Sequence, residues 1–204
     1  MCLIVHKPAG RAIPTSLIES ALQFNPHGAG LVALPPAGPA RVVRRQRVSH
    51  AAVLGWAREH EGDECVFHFR YRTRGGTASR YTHPLRVTRN IFLFHNGTLP
   101  GSSPHDAHSD TWHLARDILR PVLKENAAML GDPLFLRMLE SAIGPNNRLV
   151  LVDTARRQVE IINRAAGFTR EGLWLSNGRW FDARALGWSE PAPAPTVSRL
   201  SFVA

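Results

Sequence analysis

Met1-Cys2-Leu3-Ile4-Val5-His6 opens the chain, and the reading of its second residue decides the fold. Taken alone, Cys2 is a small apolar residue at the start of a buried strand from Cys2 to His6, the usual fate of a free cysteine. The other reading is chemical. A small side chain at position two permits removal of Met1, which leaves a thiol and a free α-amine on one residue. That amine has an unperturbed pKa of about 7.7–8.0, low enough to take the thiol's proton near neutrality. Cys2 would then be both nucleophile and base.

Downstream, the pattern alternates between strands and helices without a repeat. Ser16-Leu17-Ile18-Glu19 has the spacing of a capping box, so a short helix is expected after Pro14, ending near Asn25. Asn25-Pro26-His27-Gly28-Ala29-Gly30 reads as a turn that releases the apolar strand Gly30–Leu34. Ser49 is expected to cap a helix running to about His60. Cys65 to Thr73 reads as a central strand ending at Gly75-Gly76, and Ile91 to Phe94 as a buried strand stopping at His95. A helical stretch from Ser109 to Leu130 with a break at Pro121 follows, then a helix near 133–142. Arg148–Val152 and Gln158–Ile162 form an expected hairpin, Gly172–Ser176 a last strand, and 190–204 a Pro/Ala-containing tail. The order describes an α+β chain rather than a regular βαβ series.

The 204 residues are 44% hydrophobic and 20% charged, as expected of one globular domain with a real core. No run of about eighteen apolar residues occurs, and the N-terminus lacks a basic segment followed by an apolar one, so the expectation is a cytoplasmic protein. Asn96-Gly97-Thr98 matches a glycosylation acceptor but is expected to be unmodified in that setting. A disulfide between Cys2 and Cys65 is not expected there either, and Cys65 reads as core. The formal net charge is +9. Its densest source, Arg41 to Arg47, reads either as a solvated strand or loop or as a positive field for an anionic acceptor, a nucleotide or nucleic acid.

Four motifs follow Cys2 in order: Asn25-Pro26-His27-Gly28-Ala29-Gly30, His68-Phe69-Arg70-Tyr71-Arg72-Thr73-Arg74-Gly75, His95-Asn96-Gly97 and Ser109-Asp110-Thr111. Tyr81-Thr82-His83-Pro84-Leu85 precedes the third, and Gly172-Leu173-Trp174-Leu175-Ser176-Asn177 closes the series. In this order the chain resembles the class II glutamine amidotransferases of the N-terminal nucleophile hydrolase superfamily, over roughly residues 2 to 180. The resemblance implies a four-layer αββα sandwich of two mostly antiparallel sheets, spanning residues 2–189, with Cys2 at the end of a central strand.

It also implies roles. Cys2 would attack the side-chain amide of glutamine, and the Asn96 amide with the Gly97 N–H would receive the oxyanion, a site at which glycine allows close backbone approach. Arg70 would clamp the α-carboxylate bidentately and Asp110 would receive the α-ammonium. Thr73, Gly28 and His95, in the same motifs, would contribute to substrate binding. No cofactor or metal is implied. The ammonia acceptor is unnamed, and a separate synthase subunit is the expected partner because no synthase domain follows the last strand. The chain departs from the family pattern at Leu3, where many relatives have glycine, at His27, where relatives often have aspartate, and at Trp112, where they have glutamate.

Three rival readings remain. His105, Asp106, His108, Asp110 and His113 could hold a transition metal, although no metalloenzyme motif is completed. An N-terminal cysteine amidase could act on another amide. A non-catalytic module could bind nucleotide or nucleic acid through Arg41 to Arg47.

Overall fold

The computed structural model describes residues 2–72, 79–101 and 108–178, an α+β arrangement of two antiparallel sheets and several helices. Thr73, Arg74, His105, Asp106 and the tail from 190 lie outside the described residues, as does the end of the expected 2–189 domain.

The first sheet has the order β3-β2-β4-β1-β10-β9. Its strands are β1 (Leu3–Lys7), β2 (Ala29–Leu34), β3 (Arg41–Arg45), β4 (Glu64–Phe69), β9 (Phe168–Arg170) and β10 (Leu173–Leu175). The second, β5-β6-β7-β8, comprises β5 (Leu85–Arg86), β6 (Ile91–Asn96), β7 (Arg148–Asp153) and β8 (Gln158–Ile162). β1 is buried along its whole length, which is why it reads as an unbroken apolar run rather than an alternating one. Its alternate side chains still divide. Leu3 and Val5 enter a cluster with Leu17, Ile18 and Val53 of α1 (Thr15–Phe24) and α2 (His50–Glu59). Ile4 faces Phe92, Phe94, Val150 and Val152 of the second sheet. The other face of that sheet, through Leu93, Leu149 and Leu151, packs against Leu114, Leu119, Leu123 and Leu139. These leucines belong to α3 (Asp110–His113) and its continuation, α4 (Arg120–Glu125) and α5 (Pro133–Ile143).

Most expected elements form, and the exceptions have local causes. Ser49 caps α2, its hydroxyl accepting from Ala52 N at 3.2 Å. The Ser16–Glu19 box does not form: Pro14 is the N-cap, without a side-chain cap, and Ser16 lies inside the first turn of α1. β4 stops at Phe69 rather than Thr73, because Leu3 of β1 and Ala29 of β2, its two partners, end opposite Phe69. β6 runs two residues beyond Phe94, Asn96 pairing with Arg148. Between α3 and α4 the helix widens into a π turn, Leu114–Leu119, with Arg120 N–H donating to Ala115 O. A wider turn upstream of Pro121 accommodates a ring and a missing donor that an α-helical interior cannot. β9 is an element the sequence reading does not anticipate; it forms the sheet edge beside β10.

Lys7, at the far end of β1 from Cys2, is fully buried. Its ammonium donates to Arg11 O, Glu61 O and Asp63 O at 2.6–2.8 Å, tying the β1–α1 and α2–β4 connections together.

Candidate active site

Cys2 is half-buried at the head of β1. Its Sγ lies 3.3 Å from Tyr71 O and 3.4 Å from Tyr71 N, so the thiol donates to the carbonyl while the amide donates to sulfur. Burial raises the thiol pKa, against the opposing pull of the Tyr71 N–H and the Arg70 guanidinium. The resting group is therefore a hydrogen-bonded thiol that needs a base to ionise. Asn177 Nδ2 donates to Cys2 O at 2.7 Å, which fixes the residue against β10.

Arg70 follows β4 directly and is only 5% exposed. Its N–H donates to Gly28 O at 2.8 Å and its carbonyl accepts from His27 N at 3.0 Å. Burial lowers the guanidinium pKa, with Cys2 pulling it back. Gly28 thus serves Arg70 rather than bordering the cleft. It has φ +134°, and a Cβ there would stand 2.8 Å from Arg45 O. His27 accepts from Arg72 N through Nδ1 at 3.0 Å. Its pKa is lowered by burial and by Arg72 and Arg70, as a neutral acceptor requires.

One open cleft is lined by Cys2, Arg70, Tyr71, His95, Gly97 and Asp110, with Tyr81 and His83 on its wall. Asp110 begins α3 behind the Ser109 N-cap. Its carboxylate accepts from Leu99 N and Thr111 N, both at 2.8 Å. His95 borders the cleft, but both its ring nitrogens are engaged internally, 2.6 Å from Thr111 Oγ1 and 2.9 Å from Asn147 Oδ1. Asn147 Nδ2 donates to Ile143 O, which makes its oxygen the acceptor of His95 Nε2–H and leaves Nδ1 to accept the Thr111 hydroxyl proton. Burial lowers the His95 pKa and keeps the ring neutral. His95 therefore joins the start of α3 to the start of β7 instead of reaching into the cleft. Gly97 has φ +145°, and a Cβ there would collide with Asn147 Oδ1; no other residue fits.

Asn96 is placed differently. It lies on the inter-sheet face of β6, is 1% exposed, and donates from Nδ2 to Ser176 Oγ at 2.8 Å. Ser176 Oγ also accepts from Ile4 N at 2.9 Å. Asn96 Oδ1 is buried without a partner among the described residues. Turning the amide over would let the oxygen accept the Ser176 proton and point the NH₂ to the unpartnered position.

Behind the cleft wall, His83 Nδ1 lies 2.9 Å from His68 Nε2 and 3.5 Å from His95 N. Because His83 Nδ1 accepts from the His95 amide, the proton between the rings belongs to His68, and His83 carries its own on Nε2. Burial lowers both pKa values, that of His68 to about 3. The backbone of this segment rests on β2 because Gly30 has no side chain: a Cβ there would collide with His83 O. Tyr81 shares a 2.9 Å hydrogen bond with His108 Nδ1. His108 stacks 3.9 Å from Trp112, whose ring also lies 5.2 Å from the Arg116 guanidinium. Trp112 thus braces the wall. His113 pairs instead with Asp117 at 2.8 Å. Among the described residues no three His, Cys, Asp or Glu side chains are placed to hold a metal.

No protein-family model matches the chain, and no curated protein matches it. Among solved structures it is similar to the glutamine phosphoribosylpyrophosphate amidotransferase from B. subtilis, complexed with ADP and GMP. The identity is 13% and the TM-score 0.48, over 86% of this chain and 41% of that one. The chain therefore spans less than half the length of that protein. No helix among the described residues is long and apolar enough to cross a membrane.

Ser176, Asn177, Tyr81 and His83 lie within the motifs, but the motifs assign them no role. A signal was available for Gly30, whose lack of a side chain inside an apolar strand marks a close backbone approach.

Proposed function

We propose that the cleft binds glutamine and hydrolyses its side-chain amide through a thioester on Cys2, delivering ammonia to an acceptor. The observation carrying this reading is the convergence of a thiol, a guanidinium and a carboxylate on one cleft, from Cys2, Arg70 and Asp110. Free glutamine presents the complementary pair, an α-carboxylate and an α-ammonium. With Met1 removed, the Cys2 amine takes the thiol proton as sulfur attacks the amide carbon. The oxyanion is received by the Gly97 N–H and the Asn96 NH₂. The protonated amine then delivers its proton to the leaving nitrogen, ammonia departs, and water hydrolyses the thioester to glutamate. Thr73 completes the substrate side of the site. The three apolar clusters fit a four-layer αββα sandwich, as a single catalytic domain of residues 2–189 followed by a tail would build. No cofactor takes part, and a separate ammonia-using subunit is the expected partner.

Intact-protein mass spectrometry before and after treatment with an electrophilic glutamine analogue tests the reading. Loss of Met1 and one adduct, absent from Cys2→Ala, is the expected result. A retained Met1 would overturn it, since an extended N-terminus leaves no amine on Cys2.

One observation favours a second substrate. Asp110 is already satisfied by two backbone amides, so an amide acid without an α-ammonium would suit the same cleft. Hydrolysis of glutaramate faster than glutamine, unchanged by Asp110→Asn, would select that amidase.

A further inference from the structure

Residues 20–58 and 65–105 hold eleven arginines and no aspartate or glutamate, and β2 of the first segment pairs with β4 of the second. β3 is the outer strand of the first sheet, and Arg41, Arg44, Arg45 and Arg47 are all exposed. Among the described residues no carboxylate pairs with any of them. Register orients the row: Arg45 stands opposite Ala29, which stands opposite Phe69 and so lies at the Cys2 end, whereas Arg41 stands opposite Ala33, at the Lys7 end. Arg41 and Arg45 are about 13 Å apart along the strand, at 3.3 Å per residue, with Arg47 beyond.

The row continues into the cleft. Gly28 packs against the Arg45–Gln46 backbone, and His27 beside it accepts from Arg72 N. The His27 ring meets that of Tyr71 edge-on at 5.4 Å. Tyr71 is 42% exposed and sits between Arg70 and Arg72 at Cys2. Charged side chains keep an edge strand from pairing, and β3 carries three arginines with Arg47 just beyond its end. Arg44 lies on the other face of the strand and donates to Pro84 O at 3.2 Å, whereas Arg41, Arg45 and Arg47 are spaced along one side. Guanidinium groups spaced along a line match a repeating anion rather than a compact one. A cationic track ending at an exposed aromatic ring is the arrangement that binds single-stranded nucleic acid, with phosphates along the track and a base on the ring.

We propose that the β3 edge is a docking track for single-stranded nucleic acid, leading one end of the strand to Tyr71 and the Cys2 cleft. The inference does not rest on the glutamine reading, and its test uses binding alone. Fluorescence anisotropy with a labelled twelve-nucleotide oligothymidylate should show affinity falling about 20-fold between 50 and 200 mM salt, as three neutralised phosphates require. The variant R41S/R45S/R47S removes three exposed charges without touching the cleft. It should melt at the parent temperature and lose most of the salt dependence. Tyr71→Ala should weaken binding about 5- to 150-fold, the loss of one stacked base. Absence of binding at 50 mM salt, an unchanged salt slope in the triple variant, or equal competition by a twelve-residue polyglutamate would each overturn the proposal. The last outcome would assign the edge to an acidic protein.

Discussion

Cys2 and Cys65 lie at opposite ends of one strand pair, since β1 and β4 run antiparallel with Leu3 opposite Phe69 and Lys7 opposite Cys65. Both are free thiols, and burial raises the pKa of both, that of Cys65 to about 12. Their surroundings differ in kind. Cys65 is packed in the apolar cluster with its sulfur 3.7 Å from two carbonyl oxygens, His60 O and Asp63 O, and burial outweighs the lowering pull of the neighbouring Lys7 ammonium. Cys2 has an amide donor on its sulfur, a guanidinium nearby and a cleft in front. A cation beside a closed-in thiol leaves it inert; an amide donor on the sulfur and an opening in front make one that can be switched on.

The sharpest way to break this contrast is to exchange the two side chains for alanine separately. Cys2→Ala should abolish glutaminase turnover and alkylation by iodoacetamide of the folded protein, whereas Cys65→Ala should preserve both. Labelling of Cys65 in the native state, read by peptide mass spectrometry, would remove the distinction. The Lys7 end can then be loosened on its own. Lys7→Met leaves three carbonyls without their donor and should cost about 3–5 kcal/mol in a urea titration, with the alkylation rate of Cys2 unchanged. An altered rate would show that the two ends are coupled.

At the Cys2 end, Asn96→Ala should cost about 2.7–4 kcal/mol of transition-state stabilisation, seen in kcat at unchanged fold. Wild-type turnover would leave Asn96 as a link to Ser176 and nothing more. A last break concerns pH. His68, His83 and His95 are buried neutral near this end, with lowered pKa values. Below the unfolded value near 6.5 the unfolded chain binds protons that the folded chain refuses, so stability falls as the pH drops. For His68 the loss continues towards about pH 3. Each histidine should contribute about 1.4 kcal/mol per pH unit, and urea midpoints between pH 7.5 and 5 that do not move would contradict the neutral assignment.

How much of this was legible beforehand depended on whether a feature is local. The α2 cap at Ser49, the hairpin of β7 and β8 and the buried run of β1 are written in adjacent residues and appear where expected. The end of β4 is not, because it is fixed by where β1 and β2 run out. In the candidate site, Cys2, Arg70, His95, Gly97 and Asp110 carry motif signatures and share a cleft. The direction of a side chain does not follow from a motif. Asn96 and His95 are neighbours on one strand and must face opposite ways, so the former meets Ser176 across the sheets and the latter meets Thr111 and Asn147. Tyr81 and His83 gain their places through Gly30 and His108, contacts between segments far apart in the chain.

The position of β1 between β4 and β10 bears on how such a terminus would survive in a cell. The end of a polypeptide is where trimming enzymes begin, and most termini yield residue after residue. Here an exopeptidase that advanced past Cys2 would have to draw a strand out of the middle of a six-stranded sheet, against the Asn177 and Ser176 bonds at one end and the Lys7 ammonium at the other. If Met1 is removed as proposed, the sheet acts as a stop, and digestion by a broad aminopeptidase is expected to halt at the head of β1.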